Sequence, residues 1–308
     1  MFFILLTFQP LQPNDLNLLR PYLEAQEKAC PFRVSDNTVG AAFMWRKFLS
    51  TAWAVTEEML IFRITLKNGK QYFTFPIGGN DPGKALDKLE EYCQKNDQPL
   101  LFSGVPEPGM KYLFDRYGDR LQYTEWRDSA DYLYTADTFL SFPGRHLSGK
   151  RNHMRQFYRA HPAAVFRPLT KEDLPKAVQF IREFNARRAA TEQRSAIETE
   201  EGERSCELIE NLFELGLSGG CLEEEGRLLA VSAGEISGDT LFVHIEKGDT
   251  RCPGIYQAMS QAFAQYMIRE GVSYINREDD AGDEGLRRSK LSYRPCALIT
   301  KCSVTVGG

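Results

Sequence analysis

The chain has 308 residues, 42% of them hydrophobic and 26% charged, with a formal net charge of -4. Those proportions are ordinary for a globular protein, and the length suits two domains of roughly 150 residues. The mild acidity excludes a protein that coats nucleic acid over its whole surface, but leaves room for a local basic patch.

The longest N-terminal apolar run, residues 1–6, has no basic residue ahead of it, and Gln9, Asn14 and Asp15 follow soon after. It is too short for a membrane helix and poor as a signal peptide, so it reads as a buried first strand, and no other window approaches a span. The seven cysteines are scattered without a CxxC pair, and Cys and His do not cluster at zinc spacing. No metal is expected, and the thiols read as reduced cysteines of a cytoplasmic protein.

In the first half a strand is predicted over 2–8, then a helix with Asn14 or Asp15 as cap and Leu16, Leu19 and Leu23 on one face. Strands over 51–56 and 60–66 lead to the turn signal Asn68-Gly69 and a returning strand over 71–77. The Gly-rich loop 78–83 precedes a helix over 84–95. A strand at 99–103, a helix at 110–117 closed by Gly118, and strands at 120–126 and 131–134 complete this half.

The second half opens with a strand at 164–168 and a helix at 171–188, with Thr170 as cap and Asp173 completing a capping box. A helix at 200–217 and a meander at 220–223, 228–236 and 240–247 follow. A helix at 255–270 ending at Gly271, a strand at 272–276, a helix at 285–291 and a strand at 297–304 end the chain. The run FTFPIGGNDPGKALDKLEEY has the layout of FVHIEKGDTRCPGIYQAMSQAF, and PGMKYLFDRYG that of DEGLRRSKLSY. The order of elements, with little identity, predicts two copies of one α+β unit, over residues 1–140 and 164–308. Between them, residues 141–163 form a basic linker helix inside an acid-free stretch, 138–170, with Lys150, Arg151, Arg155 and Arg159 along it. A row of arginines at helical spacing can follow a phosphate backbone, or can pair with acids elsewhere such as the Glu-rich segment 198–207.

Three groups could carry chemistry. The loop Lys247, Gly248, Asp249, Thr250, Arg251, Cys252, Pro253, Gly254, Ile255, Tyr256 joins a strand to a helix. Backbone N–H groups at a helix N-terminus attract anions, Gly254 permits close approach, and Arg251 adds charge. The alternative is an ordinary turn punctuated by Pro253 and Gly254. The cluster Glu278, Asp279, Asp280 follows a predicted strand, where open α/β sheets place ligand groups. Asp279 there, or Glu246 near the end of the strand 240–247, is a candidate general base if burial raises its pKa. Arg287 and Lys290, one helical turn apart, could hold a phosphate or orient the acceptor, and Tyr293 could protonate a leaving group. Each also has an ordinary reading as a solvated charge or a packed aromatic.

The second half resembles the GNAT acyltransferase fold, in which an Arg/Gln-x-x-Gly-x-Gly/Ala loop holds the pyrophosphate of coenzyme A. The loop here reads Arg251-Cys-Pro-Gly254-Ile-Tyr256, with Tyr256 in place of a small residue. A closer resemblance is to the phosphatidylglycerol lysyltransferase C-terminal family. It is carried by Lys150-Arg151-Asn152, His244-Ile245-Glu246-Lys247, Asn276-Arg277-Glu278-Asp279 and the run from Gly285 to Pro295. That resemblance implies tandem GNAT-like domains, each a mixed, mostly antiparallel sheet flanked by helices. It also implies transfer of an acyl or aminoacyl group from acyl-CoA or aminoacyl-tRNA to an amine or hydroxyl, such as a lipid head group. The tyrosine that serves as general acid in many GNAT enzymes would fall near Arg288. A non-catalytic module that holds a nucleotide-like ligand or an RNA end in the same cleft is the alternative.

Overall fold

Residues 6–191 and 196–307 are described by a computed structural model. Of the strand predicted over 2–8, residues 2–5 lie outside the described residues, and the first described strand is β1, Gln9–Pro10. The chain divides into two units whose boundaries cut across the sequence. One comprises residues 1–132, 278–288 and 297–308; the other comprises 133–277 and 289–296.

In the first unit, α1 (Asp15–Ala29) buries Leu16, Leu19 and Leu23, the face that the sequence spacing selects. Thr38 caps α2 (Val39–Trp45) by accepting from the Ala41 amide. Strands β2 (Ala52–Thr56), β3 (Met59–Thr65) and β4 (Gln71–Phe73) form an antiparallel meander, turned after β3 by Gly69 with φ 81°. The helix α3 (Gly83–Lys95) then carries the chain to β5 (Leu100–Val105), which runs parallel to β4. Next come α4 (Glu107–Tyr117) and β6 (Leu121–Glu125). The sheet order is β1-β2-β3-β4-β5, then the chain's last strand, Cys302–Val306, then β6. Leu86 and Leu89 of α3 pack with Ile61, Phe73, Phe102 and Val304 of the sheet in one apolar core.

In the second unit, β7 (Asp131–Thr135) is followed by α5 (Ala136–Ser141), α6 (Ser148–Ala160) and β8 (Val165–Pro168). The predicted capping box of Thr170 and Asp173 is present, at the 3-10 turn leading into α7 (Leu174–Thr191). The helix predicted over 200–217 is α8 (Ala196–Glu210), and the chain after it is turned by Gly216 at φ 64°. The meander β9 (Ser218–Glu224), β10 (Arg227–Ser237) and β11 (Thr240–Gly248) leads through α9 (Ile255–Met267) to β12 (Tyr274–Asn276). The helix α9 ends three residues short of its predicted end, because Ile268 is extended. The sheet order is β8-β9-β10-β11-β12-β7, with β11 and β12 parallel and the other pairs antiparallel. After α10 (Glu284–Leu291), the predicted last strand is two: β13 (Ala297–Ile299) and β14 (Cys302–Val306).

The two sheets therefore share one plan. Each has a short edge strand, a three-strand meander, a helical crossover to a parallel strand, and then an antiparallel strand in sixth position. That sixth strand is exchanged: β14, from the end of the chain, sits beside β5, and β7, from the middle, sits beside β12.

Candidate functional site

The parallel pair β11 and β12 is joined over only three residues, Thr240 to Phe242 against Tyr274 to Asn276. Beyond that point β11 runs on to Gly248 with no partner in β12, so the sheet opens. A recess of about 200 Å³, its open mouth included, lies at the opening, lined by Phe139, Leu241, Val243, Glu246, Ser260, Phe263, Ala264, Ile275 and Arg277.

Glu246 reaches the recess because of a β-bulge. Ala233 pairs with Ile245 and Gly234 with Val243, which leaves His244 as an extra residue in β11. Side chains alternate along a strand, and a bulge resets the alternation. The recess face accordingly runs Leu241, Val243, Glu246. His244 falls on the other face, where its Nε2 lies 3.0 Å from Glu235 Oε1, both groups buried. Gly234 is required here: a Cβ would collide with the Phe242 carbonyl oxygen.

At the end of β12, Arg277 donates to Glu246 Oε1 at 2.6 Å. Burial pushes the Glu246 carboxyl above its ordinary pKa, against the opposing pull of Arg277. The Arg277 guanidinium lies 4.9 Å from the Phe139 ring and 5.4 Å from the Tyr293 ring, and these rings stack at 5.0 Å. Tyr293 is 3% exposed, and its hydroxyl accepts from Gln257 Nε2 at 3.0 Å and also from Arg277. Burial raises its pKa, so it keeps its proton at neutral pH. Lys290 donates from Nζ to the Arg277 carbonyl at 2.7 Å, and Tyr134 donates to the Lys290 carbonyl at 2.8 Å. Lys150 of α6 lies 3.9 Å above the Tyr293 ring and donates to Ser292 Oγ at 2.6 Å. Burial and then Arg277 lower its pKa. Thus Glu246, Lys290, Tyr293 and Lys150, predicted separately, gather around Arg277 and its neighbours.

The predicted donor loop is organised otherwise. Lys247, one residue past Glu246, points to the opposite face and pairs with Glu201 of α8 at 2.7 Å. Asp249 is buried and takes both Arg251 Nε (2.9 Å) and Arg251 Nη2 (2.6 Å), along with Arg227 at 2.7 Å. Gly248 and Ile255 meet in the turn, Cys252 is buried, and Tyr256 is half-buried, its pKa raised to about 12 by burial. Gly254 has φ 87°, and a Cβ there would collide with the His153 carbonyl oxygen of α6. The glycine serves a close helix contact, and the one arginine of the motif is already paired.

On α6, Arg151 donates to the carbonyls of Phe142 and Gly144, closing the end of α5. Arg155 and Arg159 are exposed. The Glu-rich helix α8 pairs with its own Arg204 and with Lys247.

Asp279 and Arg287 belong to the first unit and to two different groups. Asp279 lies 4.0 Å from Lys301, which also contacts Asp36 at 2.7 Å and Asp131 at 2.9 Å. Arg287 grips the buried Asp280 at 2.8 Å and Asp128 at 2.7 Å, and Tyr132 donates to Asp280 at 2.6 Å. These hydrogen bonds outweigh burial and hold Asp280 well below the usual carboxylate range.

The sequence model of the family described as phosphatidylglycerol lysyltransferase, C-terminal, matches residues 28–302. The chain belongs to this family. Membership makes it a protein of the acyl- or aminoacyltransferase kind. No curated protein matches the sequence. Among solved structures, a conserved protein of unknown function from Bacteroides thetaiotaomicron is similar at 27% identity and a TM-score of 0.90, over 98% of this chain and 100% of that one. The C-terminal DUF2156 domain of a protein described as a lysylphosphatidylglycerol synthetase, from Agrobacterium fabrum, is similar at 12% identity and TM-score 0.61, over 93% of each chain. FemX is similar at 10% identity and TM-score 0.61, over 98% of this chain and 96% of that one. The fold of this family member is two tandem GNAT-like domains of the predicted α+β kind.

The sequence places Arg277 in a run that carries the family resemblance but gives it no role, and it does not single out Phe139 or Gln257. The signal for Arg277 was its place directly after a predicted strand. Phe139 and Gln257 carry no such mark, because an aromatic and an amide on helices look like ordinary packing residues.

Proposed function

We propose that this lysyltransferase-family member transfers an aminoacyl or acyl group to an amine or hydroxyl acceptor at the opening between β11 and β12, with Glu246 as general base. The observation that carries this reading is the largely buried Glu246 carboxylate at the recess, its side chain 9% exposed, held by Arg277 at 2.6 Å and raised in pKa by desolvation. Glu246 takes the proton from the acceptor's N–H or O–H. The acceptor atom bonds to the donor's carbonyl carbon, and the bond from that carbon to the leaving atom breaks. Tyr293 is the candidate acid for the leaving group. Its oxygen accepts from Gln257 and Arg277, so its own proton is free to be given outward.

The donor that suits the site best is an aminoacyl-tRNA. The pairing of Arg251 with Asp249 and the packing of Gly254 on α6 disfavour acyl-CoA, while Arg155 and Arg159 are exposed for phosphate contact. The Agrobacterium relative is described as a lysylphosphatidylglycerol synthetase, and a lipid head group is the acceptor proposed here. That donor implies a cytoplasmic location. No helix of the described residues is long and apolar enough to cross a membrane. The corresponding loop of the first half, 78–83, carries no basic residue, so the second half is assigned as the working copy.

The test is transfer of radiolabelled aminoacyl groups from charged tRNA to phospholipid vesicles by the full chain, with Glu246→Gln beside it. Label in the lipid, lost in the variant, supports the reading. Tight binding of charged tRNA with no transfer to any acceptor would favour the non-catalytic reading instead, which the bulk of Tyr256 in the donor loop also favours.

A further inference from the structure

The charge around the recess bears on what group is transferred, an inference that rests on the function proposed above. Glu246 is the one carboxylate among the described residues that line it, and Arg277 already occupies it at 2.6 Å. Two further cations stand close. Lys290 donates to the Arg277 carbonyl, and Lys150 covers the Tyr293 ring, which stacks on the lining residue Phe139. The nearest other acids of β10 and α8 are committed on the opposite face: Glu235 faces His244, and Glu201 takes Lys247. The remaining walls, Phe139, Leu241, Val243, Phe263, Ala264 and Ile275, are apolar, apart from the Ser260 hydroxyl. The space is small, about 200 Å³ even with its open mouth included, and suits only a compact terminal group.

We propose that the recess takes a compact, uncharged aminoacyl or acyl side chain and rejects a cationic one, so that a lysyl group is a poor substrate for this member of a lysyltransferase family. An ammonium entering the recess would face Arg277 in its wall, Lys290 and Lys150 behind that wall, and one carboxylate already paired with Arg277, where burial weakens the screening that water provides. An alanyl-sized side chain meets only the apolar walls. The α-amino group is common to all aminoacyl donors, so discrimination arises at the side chain.

The experiment uses 3′-amide analogues of alanyl- and lysyl-adenosine, in which an amide replaces the labile ester, and measures their binding to the full chain by calorimetry. The alanyl analogue is expected to bind at least tenfold more tightly. Lys150→Met, which removes one cation and leaves the Glu246–Arg277 pair in place, is expected to narrow the gap while melting near the parent temperature. Equal or tighter binding of the lysyl analogue overturns the inference but leaves the proposed transfer standing. A gap unchanged in Lys150→Met overturns the part assigned to that residue. Binding of neither analogue, with no transfer from any charged tRNA, overturns the functional reading and this inference with it.

Discussion

Arg277 donates to Glu246 at 2.6 Å across the gap where β11 and β12 part. The contact depends on two distant features of the chain. The three-residue pairing of β12 ends just before Arg277, and the extra residue at His244 turns Glu246 onto the same face. Through Arg277 the carboxylate is tied to Phe139, Tyr293 and Lys290, so a change in any of these moves the candidate base.

Replacing Glu246 by Gln keeps the size and one oxygen acceptor for Arg277 but removes the base. Transfer is expected to fall by roughly 100- to 10,000-fold, the usual worth of general base catalysis. Far-UV circular dichroism should be unchanged, while the melting temperature drops somewhat because Arg277 loses its counter-charge. In the parent, the base works only when ionised. Its raised pKa therefore shifts the acid limb of the pH–rate profile above the ordinary glutamate range, and a limb at or below pH 4.5 would count against Glu246.

Gly234→Ala tests the bulge. The added Cβ meets the Phe242 carbonyl oxygen and lies 3.4 Å from the Val243 Cα, and both are backbone atoms that cannot move aside cheaply. A loss of about 1–3 kcal/mol in urea unfolding is expected, together with reduced transfer in the fraction that folds. Parent-like stability would mean that the bulge relaxes freely.

Much of this arrangement was legible before the structure. The duplication showed in the order of elements, and Glu246, Lys290, Tyr293 and Lys150 were all singled out. What stayed hidden depends on long-range pairing. Nothing local marks β14 as a partner of β5, or β7 as a partner of β12, so the expected boundaries followed the chain while the units do not. Period-two alternation would place Glu246 on the face of Phe242 and His244. Only Gly234, a glycine inside a strand, hinted at a bulge. The charge that Arg251 adds to the loop is taken up two residues away by Asp249, a pairing that the turn sequence does not announce.

Gly254→Ala separates two roles for the loop. If the glycine serves the contact with α6, alanine meets the His153 carbonyl oxygen at φ 87° and destabilises the protein by about 1–3 kcal/mol with no ligand present. If it served a pyrophosphate, the variant would melt like the parent and lose only acyl-CoA affinity. Thermal melting of the ligand-free protein decides between them.

Asp249 makes the same loop sensitive to acid. The hydrogen bond from Arg251 outweighs burial and depresses its pKa to about 2 from 3.8. The folded state therefore binds fewer protons than the unfolded chain in that interval. The stabilisation is complete above about pH 4 and is lost as pH falls towards 2. Asp249→Asn should unfold more easily than the parent at pH 7, and the difference in urea midpoint should shrink towards pH 2. A constant difference across that range would show that the carboxylate charge is not what holds Arg251.

Asp279 has the opposite sign. Burial pushes its pKa up to about 6 from 3.8, against the pull of Lys301, and Asp131 adds to the rise. Between pH 4 and 6 the folded state binds more protons than the unfolded chain, so its contribution is most favourable at low pH and is lost as pH rises through about 6. Lys301 stays charged despite its burial, because Asp131 and Asp36 hold its pKa well above the ordinary value. Those two carboxylates already answer the lysine, which leaves Asp279 as a third, imperfectly compensated charge. Asp279→Asn is therefore expected to raise the melting temperature at pH 7 and to change it little near pH 4. A melting temperature lowered by the same amount at both pH values would mean that Asp279 contributes through its hydrogen bonds rather than its charge. Lys301→Met is the companion measurement: with the cation gone, the buried Asp131 keeps its Ser35 hydrogen bonds but loses its lysine, and a loss of about 3–5 kcal/mol is expected.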